Sequence, residues 1–103
     1  MDRATQKQLK RIGHSLHPVV MVSEKGLHDN ALHALEQALT DHELIKVKIA
    51  IMDRDKRKLV IDSLLQASHS QLIQAIGKVV LIYRPSPHKN KRLSNVQRYL
   101  QKA

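Results

Sequence analysis

The sequence predicts one α/β domain of order αβαβαββ, a mixed four-stranded sheet packed with helices. Three observations lead there. Apolar residues recur at spacings of three and four over residues 3–16, about 29–40 and 53 to about 67. The shorter segments between them are continuous or alternating apolar runs. The last two such runs are separated by only two residues, Gly77-Lys78, a connection that closes a hairpin. The two strand-helix-strand units predict right-handed crossovers and a mostly parallel sheet, to which the hairpin adds an antiparallel pair.

Each element has its own warrant. Residues 3–16 place Leu9, Ile12 and Leu16 on one helical face and Arg3, Lys7, Lys10, Arg11 and His14 on the other. That polar face carries only positive groups, whereas a solvated face ordinarily mixes signs. Pro18 closes the segment, because the residue before a proline disfavours helical torsions. Val19-Val20-Met21-Val22 follows as a continuous apolar run, the pattern of a strand buried on both faces. In the second helix Ala31, Leu32, Leu35, Ala38 and Leu39 form a broad apolar face, and Asp29 suits the positive end of the helix dipole. Residues 44–49 alternate strictly, with Ile45, Val47 and Ile49 on one face and Lys46 and Lys48 on the other. Asp53 is a good N-cap for the third helix, whose first turn is strongly charged and whose later turns align Val60, Ile61, Leu64 and Leu65. Strands over 72–76 and 79–84 complete the sheet, and Pro85-Ser86-Pro87 stops it. Residues 1–87 are therefore expected to fold as the domain and 88–103 to form a basic tail. Leu93, Val96 and Leu100 fit either a short helix or a disordered arm.

The 103 residues suffice for one core, and no run approaches the roughly 20 apolar residues of a membrane-spanning helix. No apolar secretion signal opens the chain. The absence of cysteine excludes disulfides and thiolate chemistry and suits a reducing compartment, so the cytoplasm is the expected location. Net charge is +9, unevenly placed: +3 over residues 1–15, −1 over 16–77 and +7 over 78–103. A near-neutral middle with basic flanks points to a polyanionic partner, nucleic acid before any other.

Other chemistries find little support. His14 and His17 are three apart, but Pro18 breaks the helix that would align them. His28 and His33 are five apart, off one face, so no metal site is expected. There is no Gly-x-Ser-x-Gly elbow and no glycine-rich nucleotide loop, so neither an enzyme, a cofactor nor a small-molecule substrate is expected. Tyr83 and Tyr99 are the only aromatic residues, too few for a stacking platform, so a nucleic acid would be gripped by its phosphates and shape. The best grip is Ser23-Glu24-Lys25-Gly26, a turn from strand to helix where backbone N–H groups and Lys25 can meet a phosphate and Gly26 allows close approach.

Pro18-Val19-Val20-Met21-Val22 running into a glycine loop and Leu27, then His42-Glu43-Leu44-Ile45-Lys46-Val47-Lys48, then Ile76-Gly77 and Leu81-Ile82-Tyr83-Arg84-Pro85 resemble the CRM domain, and within it the single-domain bacterial YhbY-type proteins, over about residues 3–87. The resemblance implies a mixed four-stranded sheet similar to the C-terminal domain of translation initiation factor three. It also implies RNA binding, in bacteria on the precursor of the large ribosomal subunit. The family's hallmark is a Gly-x-x-Gly loop; here Ser23 stands at the first glycine and Gly26 matches the second. The expected RNA contacts are Lys7, Lys10, Arg11, Ser23, Lys25, Gly26, Lys46, Lys48 and Arg84, in a monomer without catalysis. The alternative is a protein-interaction adaptor on a ribonucleoprotein particle.

Overall fold

The computed structural model describes residues 1–87 and 92–102; residues 88–91 and 103, part of the expected tail, lie outside the described residues. The elements follow the expected order: α1 (Arg3–Gly13), β1 (Pro18–Val22), α2 (Asp29–His42), β2 (Leu44–Ile49), α3 (Arg54–Ser68), β3 (Gln71–Ile76) and β4 (Val79–Tyr83), with α4 (Asn95–Lys102) added at the end. Local chemistry fixes the helix starts. Asp2 caps α1 by accepting from the Thr5 N–H at 2.7 Å, and Asp53 caps α3 by accepting from Asp55 and Lys56. At α2 the cap is His28, whose Nδ1 accepts from the Ala31 N–H at 3.4 Å. Helix α1 ends at Gly13, three residues before the expected end.

The sheet order is β1-β2-β4-β3, and only the β1–β2 pair is parallel, so the expectation of a mostly parallel sheet is corrected. The reason lies in the two hairpin strands. Strand β4 carries Val80, Leu81 and Ile82, all buried, and so takes the central place beside β2, covered on both faces. Strand β3 carries Gln71 and Gln74 and takes the edge. Inserting β4 separates β2 from β3, and each of its own pairings is antiparallel.

Strand β1 is also corrected. It was expected to be buried on both faces, but it is the other edge: Val20 and Val22 enter the core while Val19 and Met21 stay exposed. An apolar run alone does not distinguish these cases, because the helix that would cover the second face lies over other strands. Helices α2 and α3 cover the first face, where Leu35, Leu39 and Leu64 meet Val20, Val22, Ile45, Val47, Ile49, Val80 and Ile82. Helix α1 covers part of the opposite face, where Leu9 and Ile12 meet Leu44, Ile73 and Leu81. Gly13 lets α1 come close, since a Cβ there would sit 2.5 Å from a Leu81 methyl.

Helix α4 joins α1 on that face, adding Val96 and Tyr99 to the same cluster. Tyr83 packs there too, and burial, followed by the nearby Glu43 charge, raises its phenol above the ordinary tyrosine value. The anchor of α4 is Glu43, which is 1% exposed and takes positive φ (62°) between α2 and β2. Its carboxylate accepts from the Ser86 N–H at 2.9 Å and the Ser94 hydroxyl at 2.7 Å, and its carbonyl from the Arg84 N–H at 2.9 Å. Asn95 Nδ2 donates to the Leu44 carbonyl beside it. Glu43→Ala would strip the buried Ser94 hydroxyl of its acceptor. The expected cost is about 1–3 kcal/mol, read as a lower urea-unfolding midpoint with unchanged slope.

Candidate nucleic-acid interface

The two faces of the sheet are covered unequally. Helices α1 and α4 lie over the half of their face that holds Leu44, Leu81 and Ile73, and the remaining half stays open. Pairing registers define what it presents: Met21 lies opposite Lys48, Lys48 opposite Val79 and Val79 opposite Ile76. The next row pairs Lys46 with Leu81 and Leu81 with Gln74.

Helix α1 borders this open half with its basic face. Lys7, Lys10 and Arg11 are exposed, and with His14, Gln74 and Ile76 they line one groove. His14, Gln74 and Ile76 also line the neighbouring groove, together with Lys46 and Val79. Lys7, Lys10, Arg11, Lys46 and Lys48 are thus brought to one continuous surface. No carboxylate lines either groove among the described residues. Residues 23–26 leave the end of β1 that carries Met21 and so lie at the lower edge of the same surface.

The loop itself is tightly tied. Gly26 takes positive φ (81°), and a Cβ there would meet nothing within 4 Å, so its backbone is open to an approaching group. Among the described non-glycine residues only Glu43 and His69 take positive φ, so Ser23 needs no glycine-like conformation at the first hallmark position. Its Oγ instead accepts from the Lys25 N–H at 3.3 Å, while its carbonyl accepts from the Gly26 N–H at 2.9 Å. The His28 N–H donates to the Gly26 carbonyl. These N–H groups are spent within the loop, which leaves the Lys25 ammonium as its main handle for an anion.

Glu24 points away from this handle. Its carboxylate accepts from the Met52 N–H at 2.9 Å and pairs with Lys56 at 3.3 Å, fastening the loop to the start of α3. The Met52 bond first, and the Lys56 contact less strongly, hold its carboxyl below the ordinary glutamate value. Sequence reasoning missed this role for Lys56; the charged first turn of α3 was the visible signal. Lys78, also missed, sits in the hairpin turn beside the same corner, with its carbonyl accepting from Ile49 and its ammonium against Met52 sulfur.

Arg84 does not join the surface. Its guanidinium pairs with Glu36 at 2.8 Å and donates to the Ser68 carbonyl at 2.9 Å and to Thr40 Oγ1 at 3.2 Å. It clamps the end of β4 to α2 and α3, on the face opposite α1. The structure does not bring it to the surface that holds the expected lysine contacts; its donors are engaged by α2 and α3. Among the described residues, no three of His, Asp and Glu gather as a metal-ligand set, and no helix is long and apolar enough to cross a membrane.

A small α/β domain with a one-signed cationic lane and a glycine-closed strand-to-helix loop has the build of a polyanion-binding module. Comparison with known proteins narrows this. Residues 1–84 match the model of the CRS1 / YhbY (CRM) domain. A Pseudomonas aeruginosa protein named as a probable RNA-binding protein is 52% identical over 99 residues, covering 96% of this chain and 95% of its own. A Haemophilus influenzae protein named as RNA-binding is 44% identical over 82 residues, covering 79% of this chain and 83% of its own. A solution structure from Staphylococcus aureus is similar with a TM-score of 0.74 at 26% identity, covering 88% of this chain and 95% of that one. The chain belongs to the CRS1/YhbY (CRM) domain family.

Two outcomes follow from this geometry. Arg84→Ala should lower stability by about 1–3 kcal/mol, measured by thermal or urea unfolding, because hydrogen bonds to a charged group are lost. The Glu24 tether should depend on pH in the direction of a depressed carboxyl: complete above the ordinary 4.5, and lost as pH falls through the lower folded value. The Met52 amide resonance followed by NMR should titrate with a midpoint below 4.5. A midpoint at or above that value would mean the bond is absent in solution.

Proposed function

We propose that this domain binds structured ribosomal RNA of the large-subunit precursor through phosphate contacts and assists its assembly, as a cytoplasmic monomer without catalysis. The observation that carries the reading is the lane of Lys7, Lys10, Arg11, Lys46 and Lys48 on one open face, with the Lys25 loop at its edge and, among the described residues, no carboxylate lining its grooves. Cations so placed release counterions from a nucleic-acid backbone when they bind it. Relatives named as RNA-binding proteins favour RNA over DNA. The ribosomal assignment rests on what the family resemblance implies; the comparisons themselves support RNA as the partner.

Salt titration tests the first part. Log affinity for an RNA hairpin should fall linearly with log salt, and Lys7→Ala, Lys25→Ala or Lys48→Ala should each reduce the slope by about 0.7–0.9 per lost phosphate contact. Arg84→Ala, destabilising but off the surface, should leave the slope unchanged. Affinity that ignores salt would overturn the reading. Crosslinking in cells tests the second part: large-subunit ribosomal RNA should dominate the recovered sequences, and a catch dominated by messenger RNA would sink the ribosomal assignment.

A further inference from the structure

Phosphate contact accounts for the cations of the open half-sheet but not for its apolar side chains. Met21 and Ile76 are 62 and 67% exposed. Met21, Val79 and Ile76 fall on one line across the sheet with Lys48 between the first two. At a strand spacing of about 4.8 Å, that line runs roughly 14 Å. Val79, Ile76 and Leu81, with Lys46, Gln74 and the His14 end of α1, enclose a groove of about 370 Å³. Neither tyrosine serves it, because Tyr83 and Tyr99 are packed in the cluster under α1 and α4, and the rings that line it are the imidazoles of His14 and His17.

We propose that this groove takes one unpaired nucleobase extruded from an otherwise paired RNA; the proposal rests on the RNA-binding reading above. The base lies against Val79 and Ile76, and Lys46 and Lys48 hold the phosphates on either side of it. Three features fit that occupant. The groove sits between the cations of α1 and the Lys25 loop, so a polyanion held by both must pass over it. Its walls are largely apolar and Lys46 stands at its rim, which suits a flat base carried on a sugar-phosphate backbone. Gln74 offers an amide donor and acceptor toward the edge of the base. A fully paired A-form stem presents phosphates and 2′-hydroxyls, whereas an unpaired base can leave the stack and lie on side chains.

The test compares two RNA hairpins of identical stem, one uninterrupted and one with a single-nucleotide bulge, by fluorescence anisotropy at matched salt. The bulged hairpin should bind about tenfold tighter, a difference of ~1.4 kcal/mol. The paired variant Ile76→Gln/Val79→Thr, with folding checked by circular dichroism, should reduce that preference to within about twofold while the affinity for the uninterrupted stem stays unchanged. With 2-aminopurine as the bulged base, binding to the wild type should change its emission, and the variant should abolish that change. Salt-dependent binding that treats both hairpins alike overturns the base site and leaves the RNA reading standing. A bulge preference untouched by the double substitution also overturns it. Failure to bind either hairpin in a salt-dependent way overturns the RNA reading and this inference with it.

Discussion

The buried carboxylate of Glu43 sets how the rest of the molecule is closed. A charge taken out of water is tolerated only when hydrogen bonds replace its hydration, and here the Ser86 N–H and the Ser94 hydroxyl supply them. Those donors come from the chain on either side of residues 88–91, so satisfying Glu43 draws the C-terminal segment back against the start of β2. Asn95 completes the junction at the Leu44 carbonyl, and α4 then runs beside α1 with Val96 and Tyr99 in the core. One end of this sheet face is closed by that arrangement. Over the other end, beyond Gly13, no helix lies among the described residues.

The proposed function draws on the unclosed end. Lys46 and Lys48 point to the same side of the sheet as Leu44, yet α1 and α4 cover Leu44 and leave Lys48 exposed. The end of α1 at Gly13 thus divides one strand into a packing half and a contacting half. The polar face of α1 borders the contacting half, so its Lys7, Lys10 and Arg11 extend a surface that β2 begins. Charge of one sign on two elements becomes a lane only because their packing makes them neighbours.

The loop of residues 23–26 contributes differently from a glycine-rich cradle. Ser23 occupies the first hallmark position without positive φ and engages the Lys25 N–H through its own hydroxyl. Glu24, which by its charge would oppose an anion, is used to fasten the loop to Met52 and Lys56. The result is a tethered turn that presents the Lys25 ammonium and an unobstructed Gly26 backbone, with the Lys25 and Gly26 N–H groups turned inward to Ser23. The broader cationic lane then carries more of the proposed affinity than the loop does.

Periodicity and charge placement make much of this legible in the sequence alone. The order of seven elements, the Asp53 cap, the hairpin at Gly77-Lys78 and the opposition of Lys46 and Lys48 to Ile45, Val47 and Ile49 all rest on contacts between residues close in sequence, or on a strand's own alternation. The sequence by itself determined the α/β class, the helical and extended segments and the one-signed face of α1. Tertiary structure alone decided that β4 lies between β2 and β3, that β1 is an edge with Val19 and Met21 in solvent, and that α4 folds back onto α1. It also separated Arg84, tied to Glu36, Ser68 and Thr40, from the lysines it resembled in sequence. The physical reason is common to all four: each depends on which distant surface a residue meets, and a side chain's chemistry states what it can bind without stating what lies within reach.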